Sequence, residues 1–467
     1  MSLFVAFAVY GLVLVSIGVV SYRRDQKADD FLIGSRKISY WVTALSAHAS
    51  DMSSWLFLGF PVAIYTIGIS EAWVAVGLLL GMALTWKFVA PRLRISTEET
   101  GSITLSHFFS ARVGDQTRLI SLTAAFASLF FFTFYIASGL QGMGTVLEAL
   151  FGIPMLGGVL LSALLVIVYT TLGGYMTVAF TDAFQAVFLL LAILVVPIFA
   201  FFSLPDGMTI GDGFTFGEAH SVSQAVKVAL NWGLGYFGMP HVLTKFMGIR
   251  KAEELKKSMR LGLAWQFLAL SAAVSIGILG WVFFKDRLEV PQYLFLNMVN
   301  QLFSPLAAGF IFCGVVAATL STVDSQIIVS ASVVTKDIVN ALTERRSMLS
   351  SRLSIVCQTS IAAVITLTNS QSVYEIVRYA WSGQGSTFGP IVLCSLYYRG
   401  LTKWGAFAGM TSGALLAALW PLTGWVFADA PMIPGFFGSL GVIFLVSKFT
   451  RGNPTVGAVG SRGQAAG

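Results

Sequence analysis

A cluster of oxygen-bearing side chains lies at residues 317–326 (AATLSTVDSQ), inside an otherwise apolar stretch. Ser321 and Ser325 are four residues apart and share a helix face. Thr322 and Asp324 lie within little more than one helical turn of them. Hydroxyl and carboxylate oxygens are ligands of hard cations. Hydroxyls in apolar helices often bond to their own backbone, but the added carboxylate favours a cation site.

Two further carboxylates lie in apolar sequence. Asp51 belongs to SAHASDMSSW, a run of small and hydroxyl residues in which a helix can open. Exposed backbone carbonyls in an apolar environment are tolerated where they line a cavity or bind an ion, although close packing of small residues is an alternative explanation. Asp182 belongs to GGYMTVAFTDAFQ. It lies one turn inside an apolar helix, where it either caps the helix dipole or takes a cation or proton role.

The segment NWGLGYFGMPH predicts a second interrupted helix, because three glycines and Pro240 remove side-chain bulk and a backbone donor from its middle. Trp232 and Tyr236 are four residues apart and share a helix face, so they could stack on a small organic solute. Aromatic residues at this spacing are also common in ordinary protein cores. The segment therefore predicts a break whose aromatics either bind a solute or pack inside the protein.

These segments are embedded in a chain that lipid must solvate. Of its 467 residues, 56% are hydrophobic and only 11% are charged, and the mean hydropathy is +0.79. A water-soluble domain carries about 25% charged residues, so several water-facing domains are excluded. The net charge of +7 comes from basic residues between the apolar runs and does not indicate a nucleic-acid partner. Membrane lipid and a small-molecule substrate are the partners expected.

Thirteen apolar runs are long enough to cross a bilayer. They span residues 3–22, 39–66, 69–91, 119–147, 154–176, 180–204, 224–247, 260–284, 303–335, 352–369, 374–398, 404–426 and 432–449. Alternate connections hold 25 of the 29 Lys and Arg residues, which predicts an N-terminus outside the cell and a cytoplasmic C-terminus. The first run is predicted to be an uncleaved span. Residues 92–118 are predicted to form an interfacial loop, and the tail after Arg451 to be disordered.

The order of the runs predicts an inverted repeat. When the first run is set aside, runs two to six and seven to eleven form two sets of five, and each set begins with an interrupted helix. Because five is odd, the second set enters the membrane from the opposite side, as in many secondary transporters with a site at the midplane. The predicted units are 1–38 (extra helix and cytoplasmic loop), 39–204 and 222–400 (the repeats), 401–450 (two peripheral helices) and 451–467 (tail).

Five motifs occur in an order and spacing typical of one family: SAHASDMSSWLFLGFP, GGYMTVAFTDAFQ, WGLGYFGMPH, STVDSQ and YAWSGQGSTFGP. In these motifs the chain resembles the sodium/solute symporter family and, within it, the bacterial sodium/proline symporters. The resemblance implies an all-α membrane protein of about 13 transmembrane helices. These would form a LeuT-like 5+5 inverted repeat with one extra N-terminal helix and two extra C-terminal helices. The resemblance also implies Na⁺ coupling and no enzymatic activity.

Residue by residue, the resemblance implies several binding groups. The main sodium site would take the backbone carbonyls of Ala49, Met52 and Ala318 and the hydroxyls of Ser321 and Thr322. Coupling would depend on Asp51 and on Arg36 at the cytoplasmic end of the same helix. The substrate would contact Tyr135, Trp232, Tyr236 and Pro240. Some relatives use positions similar to Asp182 and Ser325 for a second sodium, so a candidate second cation site comprises Asp182, Asp324 and Ser325.

Asp182 and Asp324 have no evident countercharge in the sequence. We expect no Lys or Arg at a matching depth, so two buried negative charges must be neutralised in another way. Either a second cation binds between them with help from Ser325, or one carboxyl group is protonated. The second cation is the favoured alternative.

The chain is therefore predicted to be a Na⁺ symporter of the cytoplasmic (inner) membrane that imports a small solute, with L-proline the best single candidate. Departures from the family pattern at His48 and Met239 leave other solutes open, and a third at Asp324 leaves the ion stoichiometry open. The other solutes are another amino acid, pantothenate, a sugar or sialic acid. An ion channel is the alternative from a different class, but no filter motif is apparent. A catalytic constellation is not apparent either, because the four histidines are dispersed.

Overall fold

The structure, a computed structural model, describes residues 2–21, 36–172, 175–204, 221–284, 288–339 and 348–451. Its α-helices, α1 to α19 in chain order, are Ser2–Ser21, Tyr40–Asp51, Trp55–Leu58, Phe60–Ile67, Trp73–Leu84, Ala90–Glu99, Leu105–Val113, Leu119–Phe151, Met155–Leu172, Tyr175–Phe202, Val222–Gly233, Pro240–Gly248, Leu255–Phe284, Leu294–Leu302, Pro305–Val333, Met348–Thr368, Val373–Tyr397, Lys403–Leu419 and Met432–Phe449. Short 3-10 segments lie at Ile69–Ala72, Leu234–Gly238, Ala252–Glu254, Pro291–Tyr293 and Trp420–Thr423, and π-helical turns at Thr85–Val89 and Val334–Val339.

The described residues form an all-helical membrane protein. Eight helical segments are long and apolar enough to cross a bilayer: Ile69–Glu99, Leu119–Phe151, Tyr175–Phe202, Ala252–Phe284, Pro305–Val339, Leu349–Thr368, Lys403–Thr423 and Met432–Phe449. Three shorter apolar helices are Leu3–Ile17, Trp55–Ile67 and Met155–Val168. Each of the thirteen predicted apolar runs is helical over most of its length. The basic segment at 22–35 and the predicted disordered tail at 452–467 lie outside the described residues.

The prediction of an interfacial loop at 92–118 is wrong for most of its length. The helix formed by the third apolar run continues through the π-helical turn at Thr85–Val89 into α6, and α6 ends at Glu99. A further helix, α7, begins after Thr104, whose hydroxyl accepts the backbone N–H of His107 at 3.1 Å as an N-cap. The short helix α14 was also not predicted. It buries Leu294, Phe295 and other apolar side chains against the bundle, so packing rather than a long apolar run stabilises it.

Both predicted helix breaks are confirmed. Helix α2 ends at Asp51, and Met52 leaves the helical region with φ −93° and ψ 81°. The chain resumes a helical turn at Trp55. In the second broken helix, α11 tightens into the 3-10 segment Leu234–Gly238, and Met239 becomes extended before Pro240 begins α12. Proline suits this first helical position because it has no N–H to leave unpaired.

The two broken helices cross the bundle in opposite directions. The start of the first meets the end of the second, where Ile38 N–H donates to the Gly248 carbonyl at 3.2 Å and Arg250 N–H donates to the Ile38 carbonyl at 2.8 Å. Beyond the breaks, Trp55 stacks on Trp232 with ring centroids 5.5 Å apart. This antiparallel relation is the one that an inverted repeat requires.

Glycines let the second broken helix lie close to its neighbours. A Cβ atom at Gly77 would lie 2.1 Å from the Ala229 carbonyl oxygen, and one at Gly81 would lie 2.1 Å from that of Gly233. These positions place α5 in backbone contact with α11. On the other side, a Cβ atom at Gly235 would lie 2.1 Å from the Trp381 indole nitrogen. Small residues are therefore required where the break is positioned between α5 and α17.

We predict that Gly81→Ala destabilises the protein, because the added methyl group must displace the Gly233 backbone. Overpacking of this kind costs about 1–3 kcal/mol, so the melting temperature of the purified protein in detergent should fall by several degrees. Gly441→Ala is the matched control, since no neighbouring atom lies within 4 Å of its Cβ position. Equal melting temperatures for the two variants would contradict the close approach of α5 and α11.

Candidate functional site

Four of the five oxygen groups implied for the sodium site converge beside the first break. The Ser321 hydroxyl lies 2.8 Å from the Ala49 carbonyl oxygen and 3.0 Å from that of Ala318. The Thr322 hydroxyl lies 3.3 and 3.1 Å from the same two oxygens. All four residues are fully buried. The cluster joins α2 to α15, whereas Met52 lies buried at the break, and among the described residues its carbonyl accepts no hydrogen bond from Ser321 or Thr322.

The chemistry of this cluster suits a hard monovalent cation. It consists of neutral carbonyl and hydroxyl oxygens, and hard cations prefer such oxygen ligands to nitrogen or sulfur. The Ala49 carbonyl is available because α2 ends two residues later, so the backbone has no continuing helix to bond. Local unwinding thus supplies the Ala49 carbonyl, and α15 supplies the Ala318 carbonyl and the two adjacent hydroxyls.

A second polar cluster surrounds the carboxylate of Asp182. Its Oδ2 atom accepts hydrogen bonds from three hydroxyls and one ammonium: Ser46 at 2.9 Å, Ser50 at 3.2 Å, Ser325 at 3.2 Å and Lys245 at 2.8 Å. The expectation that no Lys or Arg lies at this depth is wrong. Helix α12 continues to Gly248, so Lys245 lies inside the helix and is buried rather than part of a connection.

Asp324 does not join this cluster. Its Oδ1 atom accepts the Thr170 hydroxyl of α9 at 2.9 Å, whereas the neighbouring Ser325 points to Asp182. Consecutive residues on a helix project about 100° apart, which explains why adjacent side chains serve different partners. The expected grouping of Asp182, Asp324 and Ser325 is therefore divided: the structure brings Asp182 and Ser325 together and directs Asp324 to another helix.

A hydrogen-bonded chain connects the two breaks. The Tyr236 hydroxyl donates to Oδ2 of Asp51, and Gln266 Nε2 donates to the same Tyr236 oxygen at 2.8 Å. The Tyr135 hydroxyl donates to the backbone carbonyl of Asp51 at 3.4 Å. All of these side chains are buried. Asp51 therefore links the end of α2 to the second broken helix and to α8 and α13.

Aromatic rings enclose this chain on one side. Trp232 packs between Trp55, with centroids 5.5 Å apart, and Tyr374, with centroids 5.3 Å apart. Trp381 donates its indole N–H to the Trp232 carbonyl at 2.9 Å and lies edge-on to Tyr236 at 5.1 Å. Trp232 and Tyr236 thus both contact Trp381.

The remaining predicted positions lie around these clusters. Pro240 begins α12 at the second break, and Tyr135 lies edge-on to His241 at 6.1 Å. His48 is buried near Trp265, with centroids 5.7 Å apart. Sequence reasoning missed eight of the contacting residues described above: Ser46, Ser50, Trp55, Thr170, Lys245, Gln266, Tyr374 and Trp381. Trp55 and Trp381 lie inside two of the five family motifs, so their aromatic character was a usable signal. The sequence around Gln266 and Lys245 gives no comparable signal.

Arg36 lies at the ends of several helices rather than in these clusters. It adopts a left-handed backbone conformation with φ 56°. Its guanidinium donates to three backbone carbonyls, those of Thr97 and Ser102 at 2.9 Å and that of Met247 at 3.0 Å. Arg36 therefore ties the start of the first broken helix to the end of the second and to the segment that follows α6.

Comparison with known proteins agrees with this architecture. The model of the Sodium:solute symporter family matches residues 31–413. The chain is 36% identical to the high-affinity proline transporter PutP of Bacillus subtilis (strain 168), over 94% of this chain and 96% of the relative. It is also 36% identical to a sodium/proline symporter of Staphylococcus aureus (strain JH9), over 96% of this chain and 93% of the relative.

Solved structures share the fold at low sequence identity. A Na⁺-coupled sialic acid symporter in a substrate-bound, outward-open state matches with a TM-score of 0.79 at 17% identity, over 97% of this chain and 98% of the other. The nucleobase-cation-symport-1 transporter MHP1 matches with a TM-score of 0.59 at 14% identity, over 91% and 96%. The chain therefore belongs to the Sodium:solute symporter family and is a multi-pass, sodium-coupled solute symporter rather than an enzyme.

Proposed function

We propose that this symporter imports L-proline together with Na⁺ across the cytoplasmic membrane. The observation that carries the proposal is the chain from Asp51 through Tyr236 to Gln266, which joins the two helix breaks beside an aromatic wall. The relatives named as proline transporters, 36% identical over more than nine-tenths of this chain, support the same solute. Proline is a compact zwitterion with an apolar ring, and each of these features has a complementary group here.

The proposed substrate site offers separate partners for the three parts of proline. The secondary ammonium needs hydrogen-bond acceptors, and Oδ1 of Asp51 and Oε1 of Gln266 are buried without a partner among the described residues. The apolar ring would lie against Trp232 and Tyr236, with Tyr135 opposite them. The carboxylate would lie at the positive end of the half-helix that begins at Pro240.

The proposed sodium site comprises the carbonyls of Ala49, Met52 and Ala318 and the hydroxyls of Ser321 and Thr322. Ala49 and Asp51 are two residues apart at the end of α2, so the ion and the solute would bind to one short stretch of backbone. Asp51 couples the two in this proposal, and Arg36 is a positioning residue that holds the far ends of both broken helices. An inside-negative potential then drives uptake, because it acts on each bound charge with about 2.3 kcal/mol per 100 mV.

We also propose the membrane topology of thirteen crossings with an external N-terminus and a cytoplasmic C-terminus. Connections with many basic residues contact one another at one end of the bundle: Arg94 Nε donates to the Ile249 carbonyl at 2.8 Å, and Lys403 pairs with Asp115 at 3.0 Å. Basic connections face the cytoplasm in membrane proteins. Residues 39–204 and 222–400 are the proposed repeats, flanked by one extra helix before them and two after them.

Purified protein in proteoliposomes should accumulate labelled L-proline only when a Na⁺ gradient is present. An inside-negative potential should accelerate uptake, because net positive charge enters with a neutral zwitterion. The controls are a K⁺ gradient of equal size and competition by other amino acids, pantothenate, glucose and sialic acid. Sodium-driven uptake of one of these solutes with no uptake of proline would replace the proposed substrate and leave the sodium coupling intact.

Removing either hydroxyl of the proposed sodium site should weaken sodium binding. Contacts with a charged group contribute about 1.5–3 kcal/mol, or about 10- to 100-fold in affinity, so Ser321→Ala and Thr322→Val should raise the Na⁺ concentration for half-maximal uptake about tenfold or more. Thr319→Val is the matched control, since its buried hydroxyl bonds only to the Val315 carbonyl of its own helix, at 2.9 Å. Unchanged sodium dependence in both test variants would reject this site.

Trp232→Leu should raise the proline KM about tenfold while changing the sodium requirement less, because stacking area is lost and the oxygen groups of α15 remain. Phe57→Leu is a suitable control: Phe57 is an equally buried aromatic near the first break, but it packs against Phe295 instead. Steady-state uptake at saturating Na⁺ gives the KM. A normal proline KM in Trp232→Leu would identify Trp232 as an ordinary core residue.

A further inference from the structure

One buried carboxylate oxygen is the meeting point of four donors from three other helices. Oδ2 of Asp182, on α10, accepts the hydroxyls of Ser46 and Ser50 from α2, the hydroxyl of Ser325 from α15 and the ammonium of Lys245 from α12. The side chains of Lys245 and Asp182 are only 4% and 0% exposed. A buried ion pair of this kind is retained only if its geometry and hydrogen bonding offset the loss of solvation.

The oxygen atoms that meet at Oδ2 of Asp182, beside the Lys245 ammonium, form a set of ligands that suits a small cation. The set combines one carboxylate with three hydroxyls, and the Ser50 and Ser325 hydroxyl oxygens are only 2.9 Å apart. Such hard oxygens are what an alkali cation takes as ligands. The Lys245 ammonium carries the same single charge, and its Nζ lies over the ring of Tyr175, 5.1 Å from the centroid.

This cluster adjoins the proposed sodium site. Ser325 lies one turn after Ser321 on α15, and Ser50 follows Ala49 directly on α2. A mobile cation in each cluster would add two charges to the transport cycle. A lysine side chain, in contrast, supplies its charge permanently and cannot leave with the solute.

We propose that the Lys245 ammonium is a tethered cation that takes the place of a second sodium ion beside Asp182. The proposal rests on the proposed sodium site and specifies its stoichiometry: one Na⁺ binds per solute. Lys245 is thereby a residue that determines ion stoichiometry, and Asp182 is its counterion rather than a ligand of the transported sodium. Removing the ammonium while keeping the carboxylate should convert this cluster into an exchangeable cation site.

The test is to count bound sodium in the purified full-length protein by equilibrium binding of radioactive ²²Na⁺. Wild-type protein should bind about one Na⁺ per chain and move about one charge per proline in proteoliposomes. Lys245→Met keeps most of the side-chain length but removes the charge, so it should bind about two Na⁺, with a Hill coefficient above one. Lys245→Arg keeps the charge and should still bind one.

Matched controls separate this effect from a general loss of charge. Lys227→Met removes an ammonium from the ion pair with Asp429, at 2.6 Å, whose partner is largely exposed, and it should leave the count at one. If Lys245→Met is unstable because Asp182 is left uncompensated, the double variant Lys245→Met with Asp182→Asn removes both charges. It should fold and bind one Na⁺ with wild-type affinity.

Several results would overturn the proposal. They are two sodium ions in the wild-type protein, a count of one in a well-folded Lys245→Met variant, or loss of sodium binding in the double variant, which would identify Asp182 as a ligand of the transported ion. Wild-type protein that binds no sodium at all would instead contradict the proposed sodium site, and with it the count of one. Sodium counting requires no solute, so an incorrect assignment of proline would not affect the result.

Discussion

The arrangement of this protein depends on the need to satisfy backbone polar groups wherever a helix opens inside an apolar bundle. In the hydrocarbon region an unpaired N–H or C=O group costs several kcal/mol. At the first break the Asp51 carbonyl accepts from the indole of Trp55 at 3.3 Å and the hydroxyl of Tyr135 at 3.4 Å, and the Ala49 carbonyl accepts from Ser321. The open backbone is therefore held by neighbouring helices, and one of the groups that hold it, the Ser321 hydroxyl, belongs to the proposed sodium site.

The carboxylates of Asp51, Asp182 and Asp324, each at most 1% exposed, are accommodated in different ways, because burying a charge without a partner is costly. Asp182 has a lysine and three hydroxyls, Asp51 has a tyrosine hydroxyl supported by Gln266, and Asp324 has the hydroxyl of Thr170. The first arrangement fixes a charge within the protein. One oxygen of each of these carboxylates has no hydrogen-bond partner among the described residues. Of the three, Asp51 is the one at a helix break, which makes it the carboxylate best suited to an exchangeable ligand.

Features that depend on neighbouring residues in the sequence could be predicted, and contacts between distant segments could not. The breaks follow from the small residues around Asp51 and from the glycines before Pro240, because these determine local backbone freedom. The ion pair between Lys245 and Asp182 joins residues far apart in the chain. The predicted run 224–247 includes Lys245 near its end, but nothing in the neighbouring residues shows that its ammonium is buried against Asp182. The helix α7 was missed for a related reason, since its polar residues and short length are also typical of loops.

The last two turns of α2 explain how ion and solute can influence one another. Ser46 and Ser50 contact the Asp182 cluster, Ala49 contributes to the proposed sodium site, and Asp51 begins the chain to Tyr236. A change in the position of this helix end therefore alters all three clusters together. Thermodynamic linkage requires that, if sodium increases the affinity for the solute, the solute increases the affinity for sodium by the same factor. Because the Lys245 charge stays with the protein and the proposed solute, proline, is neutral overall, the membrane potential would act on this coupled pair through the transported sodium and through any movement of Lys245 with α12.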